Sequence, residues 1–194
     1  IALITTIICL LLGYPAAYIM AMADFKTPQV MAMLFILPMW INFLLRTIAT
    51  VELFRMFGLP LGEGALLFGM VYDFLPFMIY PIYNTLQKMD TSLIEAAHDL
   101  GAKRSQVFMK VTLPLSVPGI YSGIVMVFMP TVSTFAIAEL LTHNKVTLFG
   151  SLIQRCFGEG GIAMWNYGAA LSLIMLIIIG LTSFFGGDKE DINR

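Results

Sequence analysis

Runs of about twenty mostly apolar residues recur five times along this chain, and each is long enough to cross ~30 Å of hydrocarbon. A backbone in lipid must satisfy its own hydrogen bonds, so such runs fold as helices or not at all. Of the 194 residues, 59% are hydrophobic and 12% charged, about half the charge of an ordinary soluble domain. The reading is an all-α polytopic membrane protein. Its predicted spans run from about 2 to 23, 29 to 50, 64 to 86, 115 to 141 and 167 to 185. Gly13, Pro15, Pro38, Pro118, Gly119, Gly123 and Pro130 interrupt these runs. Membrane helices tolerate such residues where neighbours repair the lost bonds.

Between the spans lie a short turn at Asp24–Pro28, a linker at Val51–Gly62, a long polar stretch at Thr91–Pro114, a polar loop at Thr142–Asn166 and a charged tail at Asp188–Arg194. With five spans the connections alternate sides. One side carries Lys26, Lys88, Lys103, Arg104, Lys110, Lys189 and Arg194; the other carries Arg46, Arg55, Lys145 and Arg155. The excess of basic residues assigns the first side to the cytoplasm. The chain opens at Ile1 inside an apolar run with no basic leader or cleavage site, so the first run is expected to be a true span rather than a signal peptide.

A net charge of −1 gives no argument for nucleic acid. Cys9 and Cys156 make neither a metal site nor a disulfide framework. There is no Walker lysine loop, zinc motif or nucleophile–base pair, so the chain reads as a non-enzyme without a metal or cofactor of its own.

Thr91–Pro114 has its own punctuation. Ser92 followed by Glu95 is a capping-box pattern and predicts a helix start. Leu93, Ile94, Ala97 and Leu100 give that helix an apolar face, and Gly101 supplies the left-handed residue that ends it. Lys103, Arg104 and Lys110 then add positive charge, Val107, Phe108 and Val111 a second apolar patch. Two short helices hinged at a glycine at the membrane surface form a docking element for another protein.

The spacing Glu95-Ala96-Ala97, three residues, Gly101, nine residues, Val111-Thr112-Leu113-Pro114 resembles the EAA loop of bacterial ABC-importer permeases, with Val111 in place of isoleucine. Residues 69–78, 165–168, 38–42 and 44–47 are similar to the spermidine/putrescine permease subfamily, so the likeness covers essentially the whole chain. The resemblance implies a type I importer core within residues 1–194, with 91–114 as its cytoplasmic coupling loop. It implies a second permease subunit, two cytoplasmic ATPase subunits that carry ATP and Mg, and an external binding protein that delivers a polyamine. Relative to that family a first helix is expected to be missing, and the linker near 48–62 is short. Glu95, Ala96, Ala97, Gly101, Phe108, Leu113 and Pro114 become the ATPase-docking residues.

Asp73 lies mid-span, where an acid is costly and must face protein, water or ligand. Gly69, Asp73, Pro76, Tyr80 and Asn84 recur at helical spacing and share one face, which lines either the pathway or a subunit contact. Glu139 stands one turn beyond Phe135, where the family carries an acid and aromatics resembling an outer gate. Asp73, Glu139, Trp40, Phe135 and Tyr80 are therefore the pathway candidates, since carboxylates and aromatic faces hold polycations. Each also has a plainer role. Asp73 can be a structural hydrogen-bonding group, Trp40 a packing or belt residue, and Glu95 only a helix-start acid. Arg46 reads as a snorkelling residue near the outer surface, Trp165 as a belt residue, His98 as a surface residue and the methionines as packing. The competing functions are import of another small solute, ion-gradient-driven secondary transport and a non-transporting membrane scaffold.

Overall fold

The computed structural model describes residues 1–22, 33–143, 145–158 and 161–187, without the side chains of 161–163 and 183–187. The turn at Asp24–Pro28, Lys26, the start of the second predicted span, Glu159 and the tail with Lys189 and Arg194 lie outside the described residues. All the regular structure described is helical. Helix α1 is Ala2–Met22, α2 is Met33–Trp40 ending in a 3-10 turn, α3 is Phe43–Met56 and α4 is Glu63–Gln87. Helix α5 is Thr91–Asp99 and α6 is Arg104–Ser133, which contains a π-helical turn at Phe108–Thr112. Helix α7 is Ala136–Thr142, α8 is Phe149–Gly158 and α9 is Gly161–Gly187.

Among the described residues, four helices, α1, α4, α6 and α9, are long and apolar enough to cross a membrane. The second predicted span is bent: α2 and α3 meet at 96°. The cause is local. Pro38 opens the 3-10 turn, and Asn42 restarts the helix by accepting a 2.8 Å bond from the Leu44 N–H. Helix α3 then continues to Met56, through the first half of the stretch read as a linker, leaving residues 57–62 to connect it to α4. The fourth predicted span also breaks. Thr134 turns extended, and residues beyond Phe135 form the separate helix α7. The loop expected at Thr142–Asn166 contains α8, and the last span starts at Gly161, six residues early.

Helix α4 is the centre of the fold, with α1 and α6 packed along it. Small residues permit the approach. A Cβ at Gly13 would lie 2.9 Å from Met78 Cγ, and one at Gly123 would lie 2.7 Å from Met78 Sδ. Packing through glycine is how helices associate in lipid, where apolar surface alone gives no drive. Two clusters result. One joins Cys9, Ala17 and Met20 of α1 to Met78, Ile82, Leu86 of α4 and Val127 of α6. The other joins Val51 of α3 to Leu66 and Met70 of α4 and Ile137 and Leu141 of α7. Asp73 lies on α4 between them.

Candidate functional site

The stretch expected to dock a partner folds as two helices hinged at Gly101, with one change at its start. Asp90, not Ser92, is the cap: its Oδ1 accepts the Ser92 N–H at 2.9 Å, and Ser92 lies inside α5. Those bonds from Ser92 hold the Asp90 carboxyl below the ordinary aspartate range. Glu95 is exposed, and no box closes between it and Ser92. A comparable bond forms at the second helix, where the Lys103 N–H donates to Gln106 Oε1 at 2.9 Å. At the other end of α5, Gly101 has φ +80°. Its N–H reaches the His98 carbonyl at 2.8 Å, and the Ala102 N–H reaches that of Ala97 at 3.1 Å. This paired closure is a Schellman motif, which needs a left-handed residue at the position of Gly101.

The hinge leaves a groove of about 330 Å³ whose walls include Ala97, Gly101, Gln106 and Lys110. Leu100 projects beside it, 89% exposed. Ala96 and Pro114 are exposed, Ala97 and Leu113 half-buried and His98 at the surface. Phe108 points elsewhere: its ring stands edge-on to Tyr14 and Tyr18 of α1, with centroids 6.0 and 5.4 Å away.

Toward the other end of the bundle, Asp73 is 1% exposed and paired inside the chain. Arg46 Nε lies 3.3 Å from Asp73 Oδ1, and the Thr47 hydroxyl donates to Asp73 Oδ2 at 3.1 Å. Arg46 Nη2 also donates to the Asp73 carbonyl at 3.3 Å, and the guanidinium stands 5.8 Å from the Tyr72 ring centroid. Arg46 is therefore not a snorkelling surface residue but a buried one, 6% exposed. The bend between α2 and α3 turns it into the bundle, where an intramembrane acid demands a partner. The face of α4 carrying Gly69, Asp73 and Pro76 is likewise buried within the chain rather than lining an open path. Leu141 of α7 fills the space a Cβ at Gly69 would take. Only Tyr80 on that face is exposed, beside a small crevice formed with Phe35 and Ile36.

Trp40 and Phe135 do come together. They line a cleft of about 680 Å³ with Phe43, Arg46, Phe74 and Phe77. Trp40 is 79% exposed at the bend. Phe135, at the break after α6, also lines a neighbouring cleft of about 620 Å³ against α8 and α9. Glu139 is exposed on α7, with its N–H bonded to the Phe135 carbonyl at 3.0 Å, and is not among the residues lining either cleft. Sequence reasoning missed the Arg46–Thr47–Tyr72 surround of Asp73. The available signal was that a cation in an apolar run is the natural partner for an acid in another.

A solved structure of the MetNI methionine ABC transporter in an inward-facing conformation superposes with a TM-score of 0.77, covering 100% of this chain and 91% of that one at 19% identity. The architecture is thus an ABC-importer permease fold. Among curated relatives, the spermidine/putrescine transport system permease protein PotB of Escherichia coli (strain K12) is 36% identical, covering 93% of this chain and 71% of that protein. The protein of the same name from Haemophilus influenzae is also 36% identical, over 93% and 68%. A PotB homolog of Mycoplasma genitalium is 29% identical, over 93% and 67%. The model of the binding-protein-dependent transport system inner membrane component family matches residues 13–187, and this chain belongs to that family of transport permeases.

Proposed function

We propose that the chain is a membrane-spanning subunit of an ATP-driven importer and that its cargo is a polyamine such as spermidine or putrescine. The observation that carries this reading is the 36% identity to spermidine/putrescine permeases over 93% of the chain. The docking hairpin supports the partner assignment. Glu95, Ala96, Ala97, Gly101 and Leu100 present a capped, glycine-stopped helix beside an open groove. An ATPase subunit that binds ATP and Mg would seat there, with a second ATPase on a second permease. An external binding protein would deliver cargo to the aromatic cleft. Closure of the ATPase pair would move the hairpin, and the packed helices would rock between two access states. The hairpin and the C-terminus would then face the cytoplasm. Loss of Arg46 to the interior leaves the outer count of basic residues lower still, which favours that orientation.

Phe135, Trp40 and the other rings of the cleft offer faces for alkylammonium groups. Asp73 would serve by neutralising Arg46, and Glu139 by attracting cations from outside the cleft. A second reading rests on Arg46 itself. Among the described residues that line the cleft it is the charged one, which suits a zwitterionic or neutral solute. The test is binding-protein-dependent uptake into proteoliposomes holding this chain, its partner permease and the ATPase. Spermidine and putrescine should compete for uptake while amino acids and neutral osmolytes do not. Uptake that no amine inhibits would refute the polyamine assignment. Uptake that persists without ATP under an ion gradient would refute the importer.

A further inference from the structure

We propose that Phe108, Tyr14 and Tyr18 form a rigid link through which movement of the docking hairpin reaches the membrane-spanning bundle. The proposal rests on the importer reading above and adds the residues that carry the motion. Helix α5 packs mainly against the start of α6, so displacement of α5 has to leave through α6. There the Phe108 ring meets two rings of α1 at nearly right angles, 78° to Tyr14 and 88° to Tyr18. Edge-to-face contacts are directional. Two of them from residues four apart on one helix hold a ring against sliding along that helix as well as away from it. The Tyr14 hydroxyl makes a further 3.0 Å bond with Ser116 Oγ, a fully buried side chain one helical segment beyond Phe108.

The π turn makes these contacts compatible. In a regular helix, eight residues span about 800°, which would put Phe108 and Ser116 roughly 80° apart around the axis. The wide turn, closed by the Leu113 N–H on the Phe108 carbonyl, absorbs one residue. The two side chains are then about 20° apart and face α1 together. From α1 the path continues without a gap. Gly13, beside Tyr14, lies against Met78 and Ile79 of α4, and Ala17, beside Tyr18, is buried in the same cluster. A close-packed contact of this kind transmits displacement instead of absorbing it.

The experiment uses the complete transporter in proteoliposomes and reads ATP hydrolysed per solute imported, alongside ATPase co-purification. Phe108→Leu and Tyr18→Leu should retain the ATPase yet raise the ATP-to-solute ratio at least fivefold. Tyr18→Phe, which keeps the ring, should stay within twofold of the unaltered complex. An unchanged ratio in both leucine variants overturns the link. Loss of the ATPase on Phe108→Leu overturns it too, because the ring would then belong to the docking surface. A second measurement does not depend on how well those variants fold. With Cys9 and Cys156 replaced by Ala, Tyr18→Cys and Phe108→Cys are joined by a short thiol crosslinker. A rigid link should keep more than half the uptake when bridged. Loss of uptake on bridging, restored on cleavage, overturns the proposal. No ATP-driven uptake by the unaltered complex overturns the importer reading and the link together; normal uptake there with indifferent variants overturns the link alone.

Discussion

Arg46 of α3 and Asp73 of α4 form a buried ion pair 3.3 Å long at the bend that divides the second hydrophobic stretch. The pair ties a broken span to the central helix. Breaking a buried pair from one side leaves an uncompensated charge and costs about 3–5 kcal/mol. Arg46→Met and Asp73→Leu should each lower the thermal midpoint of the purified protein sharply, whereas the double variant should recover much of the loss. Thr47→Val, which removes one neutral donor to the carboxylate, should cost about 1–3 kcal/mol. A double variant less stable than either single one would show that the pair does not act as a unit.

Gly101 is held at φ +80° with open space around it. The constraint is therefore conformational and not steric, worth about 1–2 kcal/mol for a residue with a Cβ. Gly101→Asp should insert and fold yet reduce ATPase co-purification and uptake. Gly101→Asn, a residue that visits the left-handed region more readily, should be milder. Normal ATPase retention by Gly101→Asp would contradict the docking role.

Gly123 faces the opposite constraint. Its added Cβ would meet Met78 Sδ at 2.7 Å and the Met78 carbonyl at 3.2 Å. Gly123→Val should push α6 off α4 and destabilise by about 1–3 kcal/mol. Gly64→Ala, in the open first turn of α4, should be neutral or slightly stabilising. Thermal unfolding in detergent compares the two directly.

The aromatic cleft makes a prediction about transport rather than stability. An exposed cation–π contact is worth about 0.5–1 kcal/mol. Trp40→Ala and Phe135→Ala should each raise the KM for the amine roughly two- to fivefold with little change in expression. Phe68→Ala, an exposed ring that does not line the cleft, is the control. Equal KM values across all three would remove the cleft from the pathway. Glu139→Gln should lower uptake at limiting amine concentration and have less effect at saturation, and the salt dependence of uptake should flatten with it.

The sequence by itself determined the solvent, the all-helical class and the helix punctuation of the hairpin at Thr91–Pro114. Twenty-residue apolar runs leave a chain no choice but helices across lipid, and the spacing from Glu95 to Pro114 is local, so its helices and Gly101 stop were readable from neighbouring residues alone. Even there, the choice between Asp90 and Ser92 as the cap turned on one residue of backbone conformation. Only the tertiary structure decided what the isolated polar residues do. Arg46 and Asp73 are 27 positions apart, and Phe108 is 94 positions from Tyr14. No periodicity connects such pairs. Their meeting depends on the bend at Asn42 and on the one-residue phase change of the π turn, each small in sequence and large in direction. A helix face can be read from spacing, but the neighbour it meets is set by how the helices cross, and that is a property of the whole packed bundle.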